Sequence, residues 1–299
     1  MSALFGKGCL VMSDQLNHAS IALGCRLSGA NIEIFKHNDM VDLEQKVRHA
    51  ILTGQPHTGK SWKKIIVIVE GIYSMEGTIV NLPEILRIKK TYKLYVYVDE
   101  AHSIGAIGPQ GRGVCDYYGC NPRDIDILMG TFTKSFAAAG GYMAGNEKTI
   151  RYLRSKTAAY HYGTLMAAPV AQQIISVLSE LYYNQNQSHE RLKRIHENTL
   201  YFRQKLKQLG YHLDGNDDSP VVPLMVYMES YLKYLLIKLM ESGIATIGVA
   251  YPVTSLIGVR IRLCVSASHT RAMLDKAIET IDTIGSQLAV NFNKSKVLK

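Results

Sequence analysis

Lys134 lies in Gly130-Thr131-Phe132-Thr133-Lys134-Ser135-Phe136, while upstream the run Tyr95-Val96-Tyr97-Val98-Asp99 ends in an acid, with His102 three residues on. Between them the short apolar segment 125–129 has the pattern of a buried strand. In a parallel α/β sheet the strands end at one carboxyl edge, where ligands bind. An acid ending one strand and an amine following the next can therefore address one pocket. Pyridoxal phosphate needs that pair, because its aldehyde is held by a lysine amine and its ring nitrogen needs a carboxylate to stay protonated. Taken singly, a surface lysine and a capping aspartate explain the same residues. The small and hydroxyl residues around Lys134, together with His102, favour the cofactor reading.

The elements that position these residues alternate along the chain. Strand-like runs at 32–35, 65–69 and 94–98 alternate with helical patterns at 43–52 and 82–90, which argues for a parallel sheet with crossover helices. Segments 125–129 and 142–144 bracket the lysine, and the second is read as an antiparallel edge of the same sheet. After about Pro169 the pattern changes to two long amphipathic stretches, 170–183 and 189–209. Strand 221–227, helix 231–242, strands 244–249 and 259–265 and a final helix from Arg271 follow, the pattern of a smaller α+β lobe. The polar stretch 184–188 is a helix connection, and no internal repeat is visible.

With 299 residues, 47% of them apolar and 20% charged, the chain has the composition of an ordinary globular protein with a sizeable core. Thirty-four basic against 25 acidic residues give +9. The basic residues are dispersed, with a small excess at Lys294, Lys296 and Lys299, so a solvated basic surface is expected and no nucleic-acid site. Five cysteines without a C-x-x-C pair suggest neither a disulfide framework nor a metal site. No run approaches the about 18 apolar residues of a membrane span. Gly54-Gln55-Pro56-His57-Thr58-Gly59-Lys60-Ser61 fits the phosphate-loop pattern, and Asp99-Glu100-Ala101-His102 spells a helicase box. A phosphate loop works only where a strand enters and a helix leaves. Here a helical pattern enters and a strand leaves, so a nucleotide-driven motor is not expected.

The ordered series Leu16-Asn17-His18-Ala19-Ser20, Phe35-Lys36-His37-Asn38-Asp39, Glu70-Gly71-Ile72-Tyr73-Ser74-Met75-Glu76-Gly77, Val98-Asp99-Glu100-Ala101-His102-Ser103, Gly111-Arg112-Gly113 and the lysine segment resembles the α-oxoamine synthases. These are pyridoxal-phosphate enzymes of fold type I that condense an amino acid with an acyl-coenzyme A. The resemblance covers about 6–285. Gly140-Gly141-Tyr142 and Asp218-Ser219-Pro220-Val221-Val222-Pro223 are most like the lysine-bearing long-chain-base subunit of the branch that uses L-serine and palmitoyl-coenzyme A. The resemblance implies an α/β fold with a mostly parallel sheet and crossover helices. It further implies a cofactor-binding large domain over 1–168, incomplete at its N-terminus because the family's preceding segment is absent, and a small C-terminal domain over 169–299.

Residue by residue, the resemblance implies that Lys134 holds the cofactor and moves protons at the substrate α-carbon, and that Asp99 holds the pyridinium. His102 and Ser74 would bond the ring oxygen, and His18 would stack on the ring and steer the substrate carboxylate. Thr131 would bind the phosphate, Thr164 would reach the phosphate of a neighbouring subunit, and Arg262 would take the amino-acid carboxylate. Plainer roles exist for each: a helix-surface histidine within 13–27, a turn serine, a strand-end threonine and a solvated strand arginine. Asn38 or Asp39 is expected to cap the following helix. The implied product is 3-oxosphinganine, formed with loss of carbon dioxide at the start of sphingolipid synthesis. The implied setting is a homo- or hetero-oligomer with a related long-chain-base subunit at the endoplasmic reticulum, facing the cytosol. Another family member using glycine and a short acyl-coenzyme A, or a silent truncated subunit that binds partner subunits, stays open. Leu165, Ala137-Ala138-Ala139 and Pro252-Val253-Thr254 depart from the family pattern and bear on substrate preference.

Overall fold

Alternating β-branched runs and amphipathic helices produce the expected parallel sheet. The computed structural model describes residues 1–183 and 185–293, so Asn184 and the basic tail with Lys294, Lys296 and Lys299 lie outside the described residues. The chain forms two compact units, Met1–Tyr73 with Val80–Gln185, and Ser74–Ile79 with Asn186–Lys299.

The first unit contains strands β1 (Cys9–Asp14), β2 (Asn31–Phe35), β3 (Lys64–Glu70), β4 (Tyr95–Asp99), β5 (Ile127–Thr131) and β6 (Gly141–Gly145), in the order β2-β1-β3-β4-β5-β6. Strands β1 to β5 pair in parallel, and β6 pairs antiparallel to β5 at the edge, as its sequence suggested. The helices are α1 (Ala19–Ser28), α2 (Met40–Thr53), α3 (Leu82–Tyr92), α4 (Val114–Tyr118), α5 (Glu147–Lys156), α6 (Ala158–Tyr162) and α7 (Ala168–Tyr183). One sheet face, carrying Val11, Ile66, Ile68, Tyr97 and Ile127, packs against Ile21 and Cys25 of α1 and Leu153 of α5. Asp39 caps α2 by accepting from the Val41 and Asp42 amides, both at 3.0 Å. Strand β1 was not foreseen. It takes Ser13 and Asp14 out of the helical stretch suggested for 13–27, so α1 starts only at Ala19.

The phosphate-loop look-alike follows the C-terminus of α2. Gly54 is the C-cap in a positive-φ conformation with its N–H on the Ala50 carbonyl, and the Gln55 amide closes the loop on the Lys60 carbonyl at 2.8 Å. Carbonyl groups, not the amides an anion needs, end the helix there, and β3 leaves.

The second unit contains α8 (Gln185–Gln208), β7 (Val221–Met225), α9 (Glu229–Glu241), β8 (Ile247–Val249), β9 (Arg260–Cys264) and α10 (Arg271–Gln287). Its antiparallel sheet runs β7-β9-β8. Its core includes Leu206, Val222, Leu235, Ile261 and Ile281. Buried Arg203 of α8 donates to the carbonyls of Asp214, Ser219 and Val221 at 2.9, 3.3 and 2.7 Å, which fixes the turn entering β7. Among the described residues no helix is long and apolar enough to cross a membrane.

Candidate active site

The lysine loop is held by the aromatic residues that flank it. Phe132 and Phe136 are buried with Ile174 of α7, their rings 5.1 Å apart, and each such burial contributes about 2 kcal/mol. With both phenyl groups turned inward, Lys134 between them is exposed. Three backbone bonds close the loop: Phe132 N–H to Gly140 at 2.9 Å, Ala137 N–H to Lys134 at 3.0 Å and Ala138 N–H to Phe132 at 2.8 Å. Thr131 ends β5 half-buried, and its hydroxyl donates to the Gly140 carbonyl at 3.1 Å and lies 2.8 Å from the Thr133 hydroxyl.

Two ties bring this loop to the end of β4. The Glu100 amide donates to the Met129 carbonyl at 2.6 Å, and the Ser135 hydroxyl donates to the Ile104 carbonyl at 2.6 Å. Gly105 is required at that crossing, since its φ is +73° and a Cβ would stand 2.7 Å from Ser135. His102 lies half-buried in the same turn.

Asp99 is 4% exposed and accepts from the Ala101 amide at 2.8 Å. Burial pushes its carboxyl up, and the Ala101 amide, the Lys134 ammonium and His18 pull it back toward the charged form. Lys134, Asp99 and His18 therefore share one electrostatic environment. His18 is exposed and is the N-cap of α1, its Nδ1 accepting from the Ser20 amide at 3.2 Å, so it is not a helix-surface residue. Pyridoxal phosphate needs a buried carboxylate for its ring nitrogen, and Asp99, with a main-chain donor on its carboxyl and the Lys134 charge acting on it, fits that need.

Two further acids at the site escaped the sequence reading. Glu70 ends β3 as the register partner of Asp99, is 4% exposed and accepts from the His18 amide. Burial and the neighbouring Asp99 push it up to about 8, against the His18 amide and Lys134. Glu100, 2% exposed, accepts from the Val114 amide at 3.1 Å and from the Ser103 hydroxyl; burial pushes it up to about 7. It also accounts for the second glycine of Gly111-Arg112-Gly113, because Gly113 has φ +82° and a Cβ there would come 2.3 Å from the Glu100 carboxyl. The only sequence signal for both acids is an acid at the end of an apolar run, which a capping residue would give equally.

These raised values carry a stability consequence. Folded Glu70 keeps its proton up to about 8, whereas the unfolded side chain releases it near 4.5. The folded state thus binds more protons across that window, and stability falls as pH rises through it, then levels off. Glu100 adds the same sign up to about 7. The urea unfolding free energy is expected to drop by several kcal/mol between pH 5 and pH 9, with Glu70→Gln flattening the upper part of the curve. A wild-type curve that rises with pH over this range contradicts the assignment.

Thr164 is exposed between α6 and α7, and no described contact joins it to Lys134 or Asp99. Ser74 and Arg262 belong to the second unit, where Arg262 Nη1 donates to the Ser74 carbonyl at 3.4 Å. Arg262 is half-buried in β9 with Nε fully buried and, among the described residues, lacking an acceptor, which is not the state of a solvated strand arginine.

The chain is 48% identical over 296 residues to serine palmitoyltransferase 3 of Homo sapiens, spanning 98% of this chain and 54% of that protein. Serine palmitoyltransferase 2 of Dictyostelium discoideum is 47% identical, with 100% and 61% covered. The chain thus spans between about half and three fifths of these curated relatives. Among solved structures, serine palmitoyltransferase of Sphingomonas wittichii superposes with a TM-score of 0.87 at 26% identity, covering 97% of this chain and 69% of that one. A serine palmitoyltransferase variant of S. paucimobilis with bound PLP–myriocin gives 0.87 at 29% identity, with the same coverage. The fold is that of the type I pyridoxal-phosphate enzymes, with a mostly parallel central sheet and flanking helices. The profile of aminotransferase class I and II matches residues 1–281, and on that match the chain belongs to the aminotransferase class I and II family.

Proposed function

We propose that the chain is part of a pyridoxal-phosphate-dependent acyltransferase that joins L-serine to a long-chain acyl-coenzyme A, palmitoyl-coenzyme A being the expected donor. The product is 3-oxosphinganine, with carbon dioxide and coenzyme A released. The observation that carries this reading is the buried Asp99 carboxyl in one environment with Lys134 and His18 at the carboxyl end of β4. The similarity to serine palmitoyltransferases supports the choice of substrates. When bound, pyridoxal phosphate supplies an electron sink that stabilises negative charge at the α-carbon of an amino acid.

The chain's own residues supply the rest. Lys134 would tether the cofactor aldehyde and would afterwards take and return the proton at the serine α-carbon. Asp99 would keep the ring nitrogen protonated, and His18 would meet the ring and steer the substrate carboxylate. His102 and Ser74 would bond the ring oxygen, Thr131 the phosphate, and Thr164 the phosphate held by a neighbouring subunit. Arg262 receives the serine carboxylate through a bidentate pair that its planar fork suits. The functional division into 1–168 and 169–299, assembly with a related long-chain-base subunit and a cytosol-facing place at the endoplasmic reticulum belong to the same proposal.

Incubating the purified chain with pyridoxal phosphate, L-serine and palmitoyl-coenzyme A, alone and with a related long-chain-base subunit, tests it. Equimolar 3-oxosphinganine and carbon dioxide are expected. Turnover of glycine with a short acyl-coenzyme A in preference to serine contradicts the substrate reading, and no turnover in either preparation contradicts the catalytic one. Arg262→Lys keeps the charge and loses the fork, so KM for serine is expected to rise about tenfold or more with a smaller change in kcat. Steady-state kinetics in which kcat falls while KM is unmoved would remove Arg262 from carboxylate binding.

A further inference from the structure

Three adjacent parallel strands, β1, β3 and β4, each end in a buried acid: Asp14, Glu70 and Asp99. Asp14 organises the segments after β1 and β2, accepting from the Leu16 amide in the first and from His37 Nδ1 and the Asn38 amide in the second, at 2.9, 2.8 and 2.9 Å. Asp99 faces Lys134. Glu70 stands between them, and its carboxyl accepts the main-chain N–H of His18. His18 is thereby held twice, by Glu70 through its backbone and by Ser20 through Nδ1, which accepts from the Ser20 amide at 3.2 Å and lies 2.8 Å from the Ser20 hydroxyl.

We propose that Glu70 is a positioning residue of the site, its carboxyl fixing the main chain of His18 so that the imidazole stands beside Asp99 and Lys134. The inference rests on the cofactor reading given above, in which His18 meets the ring. Sequence separation explains why such a tie is needed. His18 sits on the turn between β1 and α1, whereas Asp99 ends β4, and β3 lies between β1 and β4 in the sheet. A side chain from the end of β3 is the one placed to reach across.

The groups facing Glu70 are Asp99 from β4, Asp14 from β1, Lys134 from the loop after β5, the His18 amide and Tyr73, whose hydroxyl accepts from the Glu70 amide at 3.4 Å. Burial and, after it, the two acids raise the proton affinity of Glu70, and the His18 amide and Lys134 lower it. A protonated Glu70 still offers an acceptor oxygen to His18 without adding a second negative charge beside Asp99. Glutamine at this position would do the same, and alanine would not.

Two readouts test the inference. The first is the His18 amide proton in nitrogen-15 spectra of the chain without cofactor, followed over pH. It is expected to move with Glu70 ionisation in the wild type, to stay hydrogen-bonded without titrating in Glu70→Gln, and to lose the bond in Glu70→Ala. The second is affinity for added pyridoxal phosphate, expected to be that of the wild type in Glu70→Gln and about tenfold weaker in Glu70→Ala and His18→Ala. A folded Glu70→Ala that binds pyridoxal phosphate like the wild type, when His18→Ala is weakened, overturns the inference alone. If Glu70→Ala fails to fold, a His18 amide that shows the same titration in Glu70→Gln as in the wild type overturns it. Unchanged affinity in His18→Ala overturns the cofactor reading of His18 and the inference with it, and the amide titration tells the two failures apart.

Discussion

Lys134→Ala is expected to lower turnover by about 10³-fold or more, because in the proposed mechanism one side chain both tethers the cofactor and moves the α-proton. Its position makes the experiment clean. Lys134 is exposed, and its loop is fixed by Phe132, Phe136 and backbone bonds that the substitution leaves in place. The urea unfolding midpoint at neutral pH is therefore expected to stay near that of the wild type while kcat collapses. Lys134→Arg separates the two contributions of the amine. It keeps a positive charge toward Glu70 and Asp99, but a guanidinium does not serve as nucleophile or proton carrier, so kcat should not recover. Near-wild-type turnover in either variant would exclude Lys134 from the chemistry.

Asp99→Asn should be nearly as severe, with a loss of about 10²–10³-fold in kcat, since it removes a preorganised charge from a buried site. The amide is close in shape, and its oxygen still accepts from the Ala101 N–H, a bond now at 2.8 Å. The fold should persist while the partner proposed for the pyridinium is lost. A second effect follows from the same geometry. Asp99 is one of the groups that raise Glu70, so its neutralisation lowers the Glu70 value and narrows the pH window over which stability declines. Urea unfolding across pH 5–9 reads this shift without any cofactor. A variant that keeps full turnover would contradict the proposed role of Asp99 at the ring, and an unaltered pH profile would contradict its placement beside Glu70.

The sheet was legible because its strands are short β-branched runs separated by amphipathic helices. Even the antiparallel edge β6 showed itself in a few residues beyond the lysine loop. Strand β1 was hidden because Cys9-Leu10-Val11-Met12-Ser13-Asp14 holds one β-branched residue, and its strand state is imposed by pairing with β2 and β3 on either side. Asp99 and Lys134 could be singled out because an acid and an amine after neighbouring strand ends make one chemical pair. Glu70 and Glu100 could not, since what makes them unusual is burial and a shared neighbour, and neither is written in residue type. His18 shows the same limit. Its motif was legible, but the tie to Glu70 joins residues 52 apart and exists only once β1 and β3 pair. The phosphate-loop look-alike shows the converse, a perfect pattern whose chemistry is absent because a helix enters where a strand must.

The most direct measurement is borohydride reduction of the chain after incubation with pyridoxal phosphate, followed by peptide mapping by mass spectrometry. One phosphopyridoxyl group per chain, carried by the peptide containing Lys134 and lost in Lys134→Ala, is the result the account predicts. Label scattered over surface lysines, or label that survives Lys134→Ala at the same level, would contradict it.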